Sequence, residues 1–521
     1  MTARPLRGWG LAAIVVATLL LGASAETGHG RATAGPTVHT PDGVVRGLAT
    51  GGVDAFRGIP YAKAPVGDLR WRPPVPVAPW TGVRQATAFA AHCAQPSSSV
   101  GVASTSEDCL YLNVFAPTDK RSELPVMVWL HGGALVYGES DDFNPAPLVA
   151  HGVIVVTVNY RLGALGFLAD AALADSSGAA GNYGLMDQQA ALRWVRAAIA
   201  GFGGDPGNVT LFGESAGGLS VLAQLVSPGA RGLMNRAISQ SGTYAMATAP
   251  LAAAESAGES FARRVGCSGA GEASCLRALP VTTILANERI GGYLPNVDGE
   301  VLTETLHAAF SRGDFDHVPV IMGTNRDEYR SLLAPARPAG EPPLTRADYA
   351  PLLSETLGVS TPPGSAIAAR YPLDASGDTS LPLAAAATDA IFACPALATD
   401  GSLAAYAPTY AYEFADERAP ERYLAPTSYS YGAAHASELS YLFDLRAPRP
   451  AVLSPAQRTL SADMVGYWTS FARSGIPTAR GAAEWPPFRA DSPAMLSLNT
   501  PAPSPDTDFA AYHQCAFWSD R

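Results

Sequence analysis

The sequence predicts an α/β fold in which a mostly parallel central sheet is covered by helices on both faces. Hydrophobic residues make up 47% of the 521 positions against 16% charged, a balance that suits a folded chain with a large core. Between Glu123 and Ser227, apolar strand-like runs (Val126–Leu130, Val153–Val158, Val209–Phe212) alternate with helical stretches such as Met186–Ala200. Strand and helix alternation of this kind builds a parallel sheet sandwiched between helices. The run Val209-Thr-Leu-Phe-Gly-Glu-Ser215-Ala-Gly-Gly-Leu-Ser-Val then reads as a strand, a tight turn and a helix.

From the N-terminus, Arg4 and Arg7 give a positive start, Leu11–Leu21 an apolar stretch, and Ala23, Ser24 and Ala25 a small-residue cleavage site. Residues 1–25 are thus expected to be a secretory signal, with the mature, exported chain starting near Glu26. The apolar run is short for a membrane span of about 20 residues, and no second such segment is read later in the chain. A formal net charge of −11, without a long acidic or basic run, argues for solubility and against binding nucleic acid or an anionic membrane. Repeats and low-complexity linkers are absent from the sequence.

Six cysteines, Cys93, Cys109, Cys267, Cys275, Cys394 and Cys515, suggest three disulfides in an exported chain, although six allow about 15 pairings. The simplest pairing joins neighbours in order. None of the six sits in a CxxC or in a Cys/His array with zinc spacing, so no metal or redox site is expected. The Pro- and Ala-rich segment Ala334–Pro363 reads as an exposed insertion, either a lid or a surface excursion. Near the end, Met464, Trp468 and Phe471 recur at helical spacing before Gly475, the pattern of a final amphipathic helix that stops at a glycine.

The chemistry centres on Gly213-Glu-Ser215-Ala-Gly217, a GxSxG motif that occurs once. Small residues on either side of such a turn let strand and helix approach while the serine Oγ stands exposed in a strained conformation, as in the α/β-hydrolase fold. A serine hydroxyl at its ordinary pKa is a poor nucleophile, so a histidine must take its proton and an acid must hold that histidine in the right tautomer. In this fold the chain order is serine, acid, histidine. Beyond Ser215 the histidines are His307, His317, His435 and His513. His435 has small neighbours that leave room for an imidazole to reach out of a loop, whereas His513 beside Cys515 reads as structural. His307 and His317 leave little chain for further strands and the acid.

The acid is expected where Val318-Pro-Val-Ile-Met-Gly-Thr-Asn-Arg-Asp327-Glu328 ends a buried-strand pattern in carboxylates, because sites in open parallel sheets form at the carboxyl ends of strands. Spacing does not choose between Asp327 and Glu328; the other is read as a solvated neighbour or a salt-bridge partner. For the oxyanion, the strand Val126–Leu130 runs into His131-Gly132-Gly133-Ala134, an HGG-type loop, and Ala216 supplies a further backbone N–H. His131 is read as a brace for that loop. Leu135, Val136 and Tyr137 are plausible pocket walls.

With these motifs in place, the mature chain closely resembles the type-B carboxylesterase family, which also contains cholinesterases and neuroligins. The resemblance rests on Ala55-Phe-Arg-Gly-Ile-Pro-Tyr-Ala-Lys-Ala-Pro-Val-Gly, on Ser106-Glu-Asp-Cys-Leu-Tyr-Leu-Asn-Val, and on Phe202-Gly-Gly-Asp-Pro-Gly-Asn-Val-Thr-Leu-Phe-Gly-Glu-Ser215-Ala-Gly-Gly. It implies one α/β-hydrolase domain over residues 26–521, with Ser215 as nucleophile, Glu328 as the acid and His435 as the base. It also implies Gly133, Ala134 and Ala216 as oxyanion donors and the pairs Cys93–Cys109, Cys267–Cys275 and Cys394–Cys515.

The chain departs from the family pattern at three places. Ala134 replaces a common third glycine and Tyr329 replaces the glycine after the acid. The segment between Cys93 and Cys109 is short and lacks tryptophan, so choline-ester specificity is disfavoured. The expected activity is cofactor-free hydrolysis of a small-molecule carboxylic ester. Hydrolysis of amides, carbamates or polyesters by the same residues, or a non-catalytic neuroligin-like adhesion module, are the alternatives. The sequence does not specify the natural ester or an oligomeric state.

Overall fold

A computed structural model describes residues 35–519 except 120, 247, 290, 334–345, 359–362, 374–377, 447, 448, 450 and 451. The expected signal at 1–25 and most of the segment 334–363 lie outside the described residues. Pro36–Arg521 form one unit around an 11-stranded mixed sheet.

The sheet strands, in chain order, are β1 (Leu48–Thr50), β2 (Val53–Pro60), β3 (Tyr111–Pro117), β4 (Leu124–Leu130), β5 (Ile154–Val158) and β6 (Gly204–Glu214). They continue with β7 (Arg236–Gln240), β8 (Val320–Asn325), β9 (Thr409–Phe414), β10 (Met495–Leu498) and β11 (Ser504–Asp506). In space the order is β11-β10-β9-β8-β7-β6-β4-β5-β3-β2-β1. From β5 across to β10 every neighbouring pair is parallel. Antiparallel pairing is confined to β11 at one edge and β1–β3 with β5 at the other. The expected parallel core is thus present, flanked by antiparallel strands that the alternation between 123 and 227 could not announce.

The period-2 side-chain alternation of a strand explains how both faces are buried. Val126, Val128 and Leu130 of β4 join one apolar core with Ile154, Val156 and Val158 of β5. Helices α1 (Tyr183–Ala198) and α2 (Ala216–Val226) close that face through Leu185, Leu192, Leu219 and Leu222. The alternate residues Met127, Trp129, Val153 and Val155 enter a second core on the other face. There α3 (Pro455–Ser474) contributes Met464, Trp468 and Phe471. Each fully buried side chain of this size stabilises the fold by roughly 1.5–3 kcal/mol.

A capping box opens α3, in which Ser454 and Gln457 satisfy each other's backbone N–H, and Gly475 at φ 80° closes it. It is not the last helix, because Phe509–Tyr512 and Cys515–Trp518 follow. The helical run Ser380–Ala404 is long and apolar enough to cross a membrane by length and composition, a candidate the sequence reading had not singled out, but 56% of its most apolar window is buried within the protein. Within 334–363, the helix Tyr349–Leu357 buries Tyr349 and Leu353 against Leu333, Ile367 and Leu383. That part is packed against the body.

The six cysteines form Cys93–Cys109, Cys267–Cys275 and Cys394–Cys515. Disulfides in this number fit an oxidising, secretory or extracellular type of environment.

Candidate active site

The chain reverses at Ser215, between the end of β6 and the start of α2, with φ 54° and ψ −121°. This conformation is sparsely populated for a side chain and costs about 1–3 kcal/mol, so the surroundings must impose it. Ser215 N–H donates to Gln240 O at 2.8 Å and Ser215 O accepts from Leu219 N–H at 2.8 Å. The close approach needs glycine: a Cβ on Gly217 would stand 1.9 Å from Leu130 O, and one on Gly213 would stand 2.6 Å from Gly217 C.

Beside that bend lies the loop His131–Tyr137 after β4. Gly133, Ala134 and Leu135 all take positive φ, at 104°, 56° and 60°. Ala134 therefore adopts a left-handed conformation that a glycine would take without cost. Neither Gly133 nor Ala134 donates its N–H to another of the described residues, and Ala216 begins α2, where amide N–H groups are free and the helix dipole is positive. His131 Nδ1 lies 2.8 Å from Gly132 O, and its ring stacks on Tyr160 at 4.6 Å. Burial lowers its pKa to about 4, so the ring is neutral and braces the loop. Leu135 and Val136, expected as pocket walls, are fully buried, and Leu135 is part of the main apolar core. Tyr137, the third expected wall residue, is half-buried.

Glu328 follows β8 and is fully buried. Its Oε1 accepts from Thr324 Oγ1 at 2.7 Å and Asn325 N–H at 2.8 Å, and its Oε2 lies 2.5 Å from His435 Nδ1. Burial would raise its pKa, but the neighbouring His435, its hydrogen bond and the Asn325 N–H hold the carboxyl below its ordinary value. The geometry separates the two carboxylates that spacing left equal: Glu328 meets the imidazole, and Asp327 does not. Tyr329 opens a short helix and donates its N–H to Thr388 Oγ1 at 3.0 Å. The missing glycine therefore leaves the contact between Glu328 and His435 in place.

His435 sits in the loop after β9, with the ring of Phe392 5.2 Å away. Its Nε2 is 3.3 Å from Glu214 Oε1, the residue directly before Ser215. Burial pushes the imidazole pKa down, but Glu214, Glu328 and the hydrogen bond to Glu328 outweigh it and hold it up at about 9. Burial pushes Glu214 up, against the pull of His435. A third buried carboxyl, Glu438, is also pushed up by burial. It accepts from Gln240 Nε2 at 3.0 Å and Asn325 Nδ2 at 2.7 Å, while Trp468 Nε1 donates to Gln240 Oε1 at 3.1 Å.

Glu214 and Glu438 were not anticipated. Glu214 was visible as a charged residue ending a buried strand, a placement that is rare unless the charge is used or paired. Glu438 gave no signal beyond lying beside apolar Leu439. Of the remaining histidines, His513 is locked between Asp389 and Glu413 at 2.6 and 2.7 Å, and His317 faces the backbone of Gly313. Among the described residues no cluster of His, Cys, Asp and Glu could hold a metal ion.

This arrangement has the parts of a serine hydrolase, and comparison with known proteins agrees. The pattern of the Carboxylesterase family matches residues 34–518. Pyrethroid hydrolase Ces2e of Rattus norvegicus is 36% identical over 93% of this chain and 89% of its own length. Para-nitrobenzyl esterase of Bacillus subtilis (strain 168) is 35% identical over 89% of this chain and 94% of its own. Cocaine esterase of Homo sapiens is 34% identical over 98% and 95%. With a match that spans nearly all described residues, the chain belongs to the carboxylesterase family, has the α/β-hydrolase fold and is a carboxylic-ester hydrolase.

Proposed function

We propose that the protein hydrolyses small carboxylic esters in two steps through an acyl-enzyme on Ser215. His435 accepts the Ser215 proton as Oγ attacks the carbonyl carbon, and returns it to the leaving alcohol. Glu328 fixes the tautomer of His435 through Nδ1 and stabilises the imidazolium. Water, deprotonated by the same imidazole, then releases the carboxylic acid. The N–H groups of Gly133, Ala134 and Ala216 receive the oxyanion, each worth about 3 kcal/mol to the transition state. No cofactor enters the sequence of steps.

The observation that carries this reading is the 2.5 Å contact of His435 Nδ1 with Glu328, in a loop whose Nε2 faces the residue preceding the strained Ser215. Residues 1–25 act in this reading as a cleaved export signal, leaving residues 26–521 as one secreted hydrolase domain; the N-terminus of exported protein tests that directly. The triad is tested with Ser215→Ala, which should lower turnover of a nitrophenyl ester by on the order of 10⁴-fold or more with an unchanged unfolding midpoint. A fluorophosphonate should label Ser215 in the parent protein. Retained turnover in the variant, or a label found elsewhere, overturns the assignment.

A further inference from the structure

Asp327 does not touch the imidazole, yet it is buried with 6% of its surface exposed. The loop carrying the histidine is held residue by residue from the loop carrying the acid. Ala433 O accepts from Asp327 N–H at 3.0 Å, and Ala433 N–H donates to Asp327 Oδ2 at 2.9 Å. Ala434 O accepts from Asn325 Nδ2 at 2.8 Å, and His435 N–H donates to Glu328 O at 3.3 Å. Within this set, Asp327 provides the one carboxylate acceptor. Its other oxygen pairs with Arg330 at 2.7 Å, whose guanidinium also reaches Ser430 O, so the carboxylate is fixed from both sides. Gly432, at φ 63°, is the residue that lets it in: a Cβ there would stand 2.2 Å from Asp327 Oδ2.

We propose that Asp327 is a positioning residue for His435, acting through the buried N–H of Ala433 two positions upstream. The proposal rests on the triad reading above. Ala433 is fully buried, so an N–H that loses this acceptor must be met by a mobile water or by a shift of the loop, and neither fixes Ala433 as the doubly held carboxylate does. A displacement near 1 Å of a reacting group costs on the order of 10²-fold in rate. The ester itself makes no contact with Asp327 in this account, so substrate binding is untouched.

The test compares Asp327→Ala and Asp327→Asn in the full-length protein, with kcat expressed per site titrated by a fluorophosphonate burst. Counting sites removes any loss caused by misfolded molecules. Asp327→Ala should lower kcat per site by roughly tenfold to a hundredfold with KM nearly constant. Asp327→Asn keeps an oxygen acceptor for Ala433 N–H and should retain a third or more of the rate. A cavity of about 230 Å³ backs Asp327, lined also by Arg326, Arg330, Thr388 and Asp389. Added formate can enter it and should partly restore Asp327→Ala.

Unchanged kcat per site in Asp327→Ala, or an Asn variant as slow as the Ala variant, overturns the proposal. A double-mutant cycle separates it from the triad reading. With His435→Ala in place, where the unactivated serine gives no burst and kcat is instead expressed per molecule that unfolds cooperatively, Asp327→Ala should cause no further loss, and an equal loss in both backgrounds overturns the positioning role. If His435→Ala alone keeps the parent rate, it is the triad that fails.

Discussion

Replacing Glu214 with glutamine isolates the electrostatic setting of His435. The carboxylate oxygen and Nε2 are 3.3 Å apart, and both groups are buried within the protein. At an effective dielectric of about 20, unit charges at that separation interact by about 5 kcal/mol, equivalent to nearly 4 pH units. The full value applies while Glu214 is ionised, but burial pushes its own pKa up to about 8. Below that pH the carboxyl is mostly neutral, and the proton that titrates belongs to the pair. In the proposed mechanism His435 must be neutral to accept a proton from Ser215, so activity is expected to rise with pH as the pair loses its proton.

Glutamine preserves the shape at position 214 and removes the charge that favours imidazolium. His435 then loses its proton at lower pH, and the acid limb of kcat/KM should move down by about 2 pH units. The variant gains relative activity in mild acid. A pH-stat recording acid release from about pH 5 to about pH 10, with kcat/KM determined at each step, reads this directly. An acid limb that stays in place or moves to higher pH refutes the charge coupling between Glu214 and His435.

Two further outcomes concern stability. Burial pushes the His513 pKa down, but hydrogen bonds to Asp389 and Glu413 raise it from 6.5 to about 9. Its contribution is present in full below about pH 6.5 and is lost as pH rises through about 9, a span worth about 3 kcal/mol. The unfolding midpoint should fall across that window in the parent and stay flatter in His513→Gln; identical slopes contradict the raised pKa. Among the disulfides, Cys394–Cys515 spans 121 positions and Cys267–Cys275 spans 8. Serine pairs at these positions should cost about 5 and about 2.5 kcal/mol respectively, and chemical denaturation giving the reverse order counts against the chain-entropy account.

How far the sequence disclosed this site depends on the range of the interactions involved. The bend at Ser215 was readable because its requirements are local: an apolar strand, glycines at 213 and 217, and a helix, all within one run. Glu328 and Asp327 were indistinguishable because adjacent side chains leave a strand end in different directions, and only the distant loop 432–435 decides which one meets an imidazole. The resemblance to the carboxylesterases resolved that pair; spacing did not. The left-handed backbone at Ala134 and Leu135 gave no sign in the sequence, because neither residue is one that favours positive φ. Glu438 and its partners Gln240, Asn325 and Trp468 come from four segments, and no short window contains them. The antiparallel strands β1–β3 lay outside the helix–strand alternation that announced the parallel core.

The linkage from Trp468 through Gln240 to Glu438 and Asn325 has a consequence for how much of the chain must be present before it can form. Its members are spread over more than a hundred positions of chain, and the indole at one end is delivered by a helix near the C-terminus. A polypeptide that ends before Pro455 keeps Ser215 but lacks the indole whose N–H holds the Gln240 amide turned toward Glu438. The hydrogen-bonded surroundings of Glu438 are therefore complete only in a chain that includes the helix Pro455–Ser474.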